Sequence, residues 1–114
     1  MSAPPHSPPP KPQACELCQR PEPFLTRHHL VPRTRHRKKS ARKRFSLEEM
    51  RARILWLCRP CHNHIHEVLS EKDLETRYHS RTALLEHPDI QRFVDWLRTK
   101  PAGFKPVSAA RRRR

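Results

Sequence analysis

The chain has 114 residues, 25 of them Lys or Arg against 11 Asp or Glu, which gives a formal net charge of +14 at pH 7. That length allows one domain, and with 34% hydrophobic residues, one glycine and 13 prolines, part of it is expected to stay unfolded. The charge implies an anionic partner, most simply nucleic acid; an anionic membrane surface is the weaker reading, because neither a long apolar run nor an amphipathic helix with lysines opposite a broad apolar face is visible.

A domain this small buries little apolar surface, so a metal is a natural staple. Without a visible export signal the chain is expected in the cytoplasm, and its four cysteines are read as metal ligands rather than disulfides. Residues 1–13, with Pro4, Pro5, Pro8, Pro9, Pro10 and Pro12, are expected to form a disordered tail, a proline-rich docking peptide being the alternative. The folded domain is expected over residues 14–100. It opens on Cys15-Glu16-Leu17-Cys18, a tight turn from which two thiolates can reach one ion. Residues 24–31 predict a short strand stopped by Pro32, on which His28 and His29 point to opposite sides.

Residues 33–44 are almost continuously basic: Arg33, Arg35, Arg37, Lys38, Lys39, Arg42, Lys43 and Arg44. They read as a loop contributing nothing to a core and lying along a phosphate backbone, with a solvated charge run as the bland alternative. Ser46 and Glu49 form a capping-box pattern for a helix over residues 47–53. The apolar run 54–57 predicts a strand that pairs with residues 24–31 and delivers Cys58. A helix should follow from Pro60 to about residue 69. Ser70 and Asp73 cap another through Tyr78, and Ser80 starts a short one carrying Leu84 and Leu85. Pro88 begins the last helix, in which Ile90, Phe93, Val94 and Leu97 recur at core spacing with Trp96 at the border. Residues 101–114 form a basic tail expected to be disordered, ending Arg111-Arg112-Arg113-Arg114.

Two constellations carry chemistry. Cys15, Cys18, Cys58 and Cys61 are two Cys-x-x-Cys pairs separated by a long excursion, the ligand pattern of a closed structural zinc site. Buried free thiols or a redox pair are the competing readings. His62 and His66 are four apart and share one helix face, whereas His64 should point away. One imidazole from the strand would complete a three-histidine site with positions open to water and phosphate, and the other would be free to take a proton. Alternatively, His62 replaces a cysteine in the structural site.

Cys15-x-x-Cys18, His28-His29-Leu30-Val31-Pro32 and Leu57-Cys58-x-x-Cys61-His62-x-x-x-His66 together resemble the HNH endonucleases of the ββα-metal fold that add a four-cysteine zinc site. The resemblance covers about residues 14–69. It implies an α+β fold: a small zinc-stabilised ββα-metal core with extra C-terminal helices and disordered termini. It also implies metal-dependent hydrolysis of phosphodiester bonds in DNA, most simply double-stranded, leaving 5′-phosphates. His29 would be the general base. His28, His62 and His66 would bind a catalytic divalent ion, such as Mg²⁺, Mn²⁺, Ni²⁺ or Zn²⁺. One position departs from the family: Arg53 stands where its middle Asn normally tethers the loop bearing the base, and an arginine only donates hydrogen bonds. Arg53 is therefore grouped with the basic run as a phosphate contact, the alternative being that the backbone supplies the tether. The alternative function is a non-catalytic zinc module that binds nucleic acid. A role that needs a protein partner to supply specificity also stays open.

Overall fold

The apolar run 54–57 and the segment that holds His28 meet as an antiparallel pair, in a computed structural model that describes residues 7–106. Strand β1 (Thr26–His29) pairs with β2 (Ile54–Leu57), with His28 opposite Leu55 and His29 opposite Ile54. The predicted strand over 24–31 is therefore shorter at both ends. Phe24 lies outside it, 83% exposed, and beyond His29 only the bond from Leu30 N–H to the Arg53 carbonyl, at 3.0 Å, continues the pairing. The chain is α+β, with six helices among the described residues: α1 (Lys39–Arg42), α2 (Leu47–Ala52), α3 (Arg59–Val68), α4 (Glu71–Thr76), α5 (Arg81–Glu86) and α6 (Pro88–Leu97). None of these helices is long and apolar enough to cross a membrane.

Local chemistry explains the helix starts. Ser46 accepts from Glu49 N–H while the Glu49 carboxylate accepts from Ser46 N–H, and Ser70 with Asp73 repeats the arrangement. Ser80 caps α5, and His87 caps α6 ahead of Pro88. Cys58 precedes α3, where Pro60 occupies the first turn and has no N–H to leave unpaired. The main core joins Leu17, Leu55, Leu57 and Ile65 to Leu74, Leu84, Ile90, Val94 and Leu97. Phe93 is partly buried against it, and Trp96 is 42% exposed.

The basic segment corrects the sequence reading. Residues 33–44 were expected to form a loop without a core, but they hold a 3₁₀ turn (Arg33–Arg35) and α1. Ala41 is fully buried with Val31, Phe45 and Met50 in a second small core, because one alanine among the cations suffices to seat a helix turn. The segment is pinned from across the chain by Glu75, whose side chain is 0% exposed. Arg35 Nε donates to the Glu75 carboxylate at 2.8 Å and Ser40 Oγ at 3.2 Å, and Arg44 pairs with its other oxygen.

Both ends of the described chain make contacts with the domain. Trp56 Nε1 donates to the Pro9 carbonyl at 2.9 Å, and Lys11 Nζ to Pro23 at 2.7 Å. Phe104 packs on the main core. The expectations for residues 1–6 and for Arg111 to Arg114 lie outside the described residues.

Burial pushes the Glu75 carboxyl up, but its bonds from Arg35, Ser40 and Arg44 and the charge of Arg35 outweigh that and hold it below the ordinary glutamate range. Glu75→Gln should destabilise the fold by about 2 kcal/mol at neutral pH, less than for a wholly buried pair because both arginines are partly solvated. A depressed pKa contributes stability above the unfolded value, which is lost as pH falls through the folded one. Denaturant melts of the two proteins should therefore differ at pH 7 and converge only once the pH has fallen below the ordinary glutamate range.

Candidate metal centres

The first Cys-x-x-Cys pair sits on a turn closed by Gln19 N–H donating to the Cys15 carbonyl at 2.9 Å, with Gln19 at φ +64°. The second pair brackets the start of α3, with Cys58 as its cap and Cys61 in its first turn. All four sulfurs converge within 4.8 Å of one another, and each cysteine is buried. Cys18 and Cys58 Sγ are 3.7 Å apart, far beyond a disulfide bond. A tetrahedral ion with sulfurs at about 2.3 Å would space them about 3.8 Å apart. The spacing is that of a ligand set.

Proton sharing agrees with this. The hydrogen bond from Cys15, then those from Cys58 and Cys61, push the Cys18 thiol far below its ordinary value. Cys58 and Cys61 are pushed up, first through their bonds with Cys15. A cluster half-willing to ionise takes a divalent cation in place of its shared protons. Arg20, only 5% exposed, lies against it. Its Nε donates to Cys18 Sγ at 3.5 Å and its Nη2 to Cys58 Sγ at 3.7 Å, while Nη1 donates to the Pro101 carbonyl at 2.7 Å. This buried cation offsets thiolate charge and ties the C-terminal segment to the cysteines.

The second cluster forms where β1 faces α3. His28, His62 and His66 bring one ring nitrogen each within 4.8 Å of the others, with ring centroids 5.0 to 5.5 Å apart. His28 Nε2 is buried without a hydrogen-bond partner among the described residues, a costly state for a polar atom unless an ion takes it. Thr26 fixes the tautomer of His62. Its hydroxyl donates its single proton to the Leu57 carbonyl at 2.9 Å, so it must accept from His62 Nδ1–H at 2.7 Å, leaving the Nε2 lone pair free. Burial first, then the charges of His62 and His66, hold His28 down to about 3, and burial with His66 and Arg59 holds His62 at about 4. Burial also lowers His66. All three are therefore neutral at pH 7, the form that ligates. Exposure rises from buried His28 through half-buried His62 to exposed His66, which leaves the solvent side open.

His29 points to the other side of β1 and is half-buried. Its ring packs edge-on against His36 at 5.9 Å, and burial, His36, Arg33 and Arg27 lower its pKa, in that order, so it is neutral and able to accept a proton. His64 turns away, stacked on Phe93 at 4.0 Å.

The basic candidates divide. Arg33, Arg37, Lys38, Lys39, Arg42 and Lys43 are exposed. Arg35 and Arg44 are engaged by Glu75, and Arg53 is half-buried, with Nη2 donating to the His79 carbonyl at 3.1 Å and its guanidinium over Phe45. These three thus have protein partners that exist only in the folded chain, as does Arg42, whose Nε donates to the His36 carbonyl at 3.2 Å, while Arg42 and Arg44 are both exposed. Thr26, Arg20 and His36 went unread in the sequence. The period of two along β1 was a usable sign for Thr26, two residues before His28. His36 was masked by the charge around it.

Cobalt(II) added to ion-free protein should give thiolate charge-transfer absorption that Cys58→Ser or Cys15→Ser abolishes, with a lowered melting temperature in both variants. Arg20→Ala should keep the absorption but lose the ion to a competing chelator at about tenfold lower chelator concentration. Unchanged absorption in Cys58→Ser would refute the ligand assignment.

No family model matches the chain, and no solved structure matches it. It is 36% identical over 87 residues to a protein of Bacillus subtilis (strain 168) that carries the name uncharacterized protein YisB, the match covering 76% of this chain and 75% of that one. Identity at that level across three quarters of both chains means that this protein belongs to the same family as YisB.

Proposed function

We propose that the chain is a metal-dependent endonuclease of the HNH type, hydrolysing phosphodiester bonds in DNA, with a structural zinc in the four-cysteine site. The observation that carries the reading is the convergence of His28, His62 and His66 beside a neutral His29 on the opposite side of the same strand. His28, His62 and His66 would hold a divalent ion, with Mg²⁺, Mn²⁺, Ni²⁺ and Zn²⁺ as candidates. Such an ion supplies positive charge against the phosphate and the leaving oxygen. His29 takes the proton of a water at a ring nitrogen as the water oxygen bonds to phosphorus and the P–O3′ bond breaks, leaving a 5′-phosphate. Thr26 keeps His62 in the ligating tautomer. The exposed cations Arg33, Arg37, Lys38, Lys39, Arg42 and Lys43 supply sequence-independent attraction for the duplex.

A non-catalytic zinc module that binds nucleic acid is the second reading, favoured by Arg53, whose side chain is directed to His79 and Phe45 rather than to the His29 loop. Supercoiled plasmid separates the two. Nicking should require added divalent ion and vanish in His29→Ala, with DNA affinity kept within about twofold. Plasmid that is bound but never cut with any ion sinks the nuclease. Neutralising Arg37, Lys38, Lys39 and Lys43 together should weaken DNA binding and flatten the log–log salt slope by about 0.9 for each phosphate no longer neutralised. An unaltered slope would remove this surface from the interface.

A further inference from the structure

His29 stands at the last paired position of β1, and its ring makes no hydrogen bond among the described residues. A proton acceptor held only by its own strand end would sample several rotamers, and misplacement by an ångström is costly in catalysis. Arg53, across from Leu30, offers a backbone carbonyl there but sends its guanidinium elsewhere. His36 is a side chain that reaches both the His29 ring and the loop that follows it, at the Val31 carbonyl.

His36 is buried, 6% exposed, within a stretch of cations where an imidazole would ordinarily be solvated. Its Nε2 lies 2.7 Å from the carbonyl oxygen of Val31, two residues beyond His29. A carbonyl only accepts, so Nε2 carries the proton and donates it. The bond closes the loop from Val31 through the 3₁₀ turn, and the same ring lies edge-on to His29. His36 is itself fixed on both sides: its N–H donates to the Arg33 carbonyl at 3.1 Å, and its own carbonyl accepts from Arg42 Nε at 3.2 Å. Val31 is fully buried in the second core, so the carbonyl that His36 grips belongs to a rigid part of the chain.

We infer that His36 is a positioning residue for the proposed base: its hydrogen bond to Val31 holds the loop that sets the His29 ring in place for proton transfer. This rests on the nuclease reading. His36 touches neither the three-histidine cluster nor a scissile bond; it acts through His29.

Two variants divide its features. His36→Gln puts an amide N–H where Nε2 stands but removes the ring, and His36→Phe keeps a ring against His29 but has no donor. Metal-loaded, full-length protein is assayed for plasmid nicking over a range of DNA concentrations, with circular dichroism and bound-metal content measured beside it. His36→Phe should lose about a hundredfold in kcat with KM and metal content unchanged, and His36→Gln should recover most of that loss. If His36→Phe fails to fold, His36→Leu takes its place. Cleavage by the donorless variant at the wild-type rate overturns the inference alone, as does an equal loss in both variants or a loss confined to KM. Wild-type protein that does not cut overturns the nuclease reading, and the inference falls with it.

Discussion

Four thiols packed out of water around one point are the constraint on which the rest of the fold depends. Their ionised forms repel at short range, and the single buried guanidinium of Arg20 cannot balance them. A cation-binding arrangement follows, drawing together two segments about forty residues apart: the turn at Cys15 and the start of α3. The position of α3 decides much else. It runs from the cysteine cluster past β1 and presents His62 and His66 to His28. Through Arg20 the cysteines also reach Pro101, and Arg98, the cap of α6, donates to the Cys18 and Leu17 carbonyls, so the end of α6 is tied to the same point.

Adjacent histidines acquire different chemistry because a strand alternates. His28 is directed into the angle between sheet and helix, where burial strips its solvation and keeps it neutral. His29, one residue on, meets the basic segment and remains half-exposed. The two cores correspond to this division. The larger supports the side of β1 carrying His28, and the smaller, built on Val31, Ala41, Phe45 and Met50, supports the loop that follows His29.

Glu75 turns a run of like charges into a shaped surface. Unbalanced, residues 33–44 would repel one another and extend. With a fully buried carboxylate taking Arg35, Ser40 and Arg44, the segment folds back on α4, and its remaining cations face outward. The protein accepts a buried charge here, and two arginines offset its desolvation.

Residues read in sequence were informative wherever the deciding interaction is local. Ser46 with Glu49 and Ser70 with Asp73 are three apart, and their helices begin where those pairs stand. The Cys-x-x-Cys spacings, the i,i+4 histidines of α3 and the alternation at His28-His29 are likewise local, so the candidate ligands were legible before the fold was. The length of β1, the helix within the basic run, the engagement of Arg53 by His79, the docking of the proline-rich segment on Trp56 and the part played by His36 were not. Most of these depend on partners tens of residues away, Glu75 being 31 from Arg44 and Pro9 47 from Trp56. His36 is the exception, five residues from Val31, because its bond exists only once the 3₁₀ turn has folded the loop back. Local spacing thus determined which residues can share an ion or cap a helix. Tertiary packing alone decided which charges are free and which are held, because burial and the choice of partner are properties of the whole folded chain.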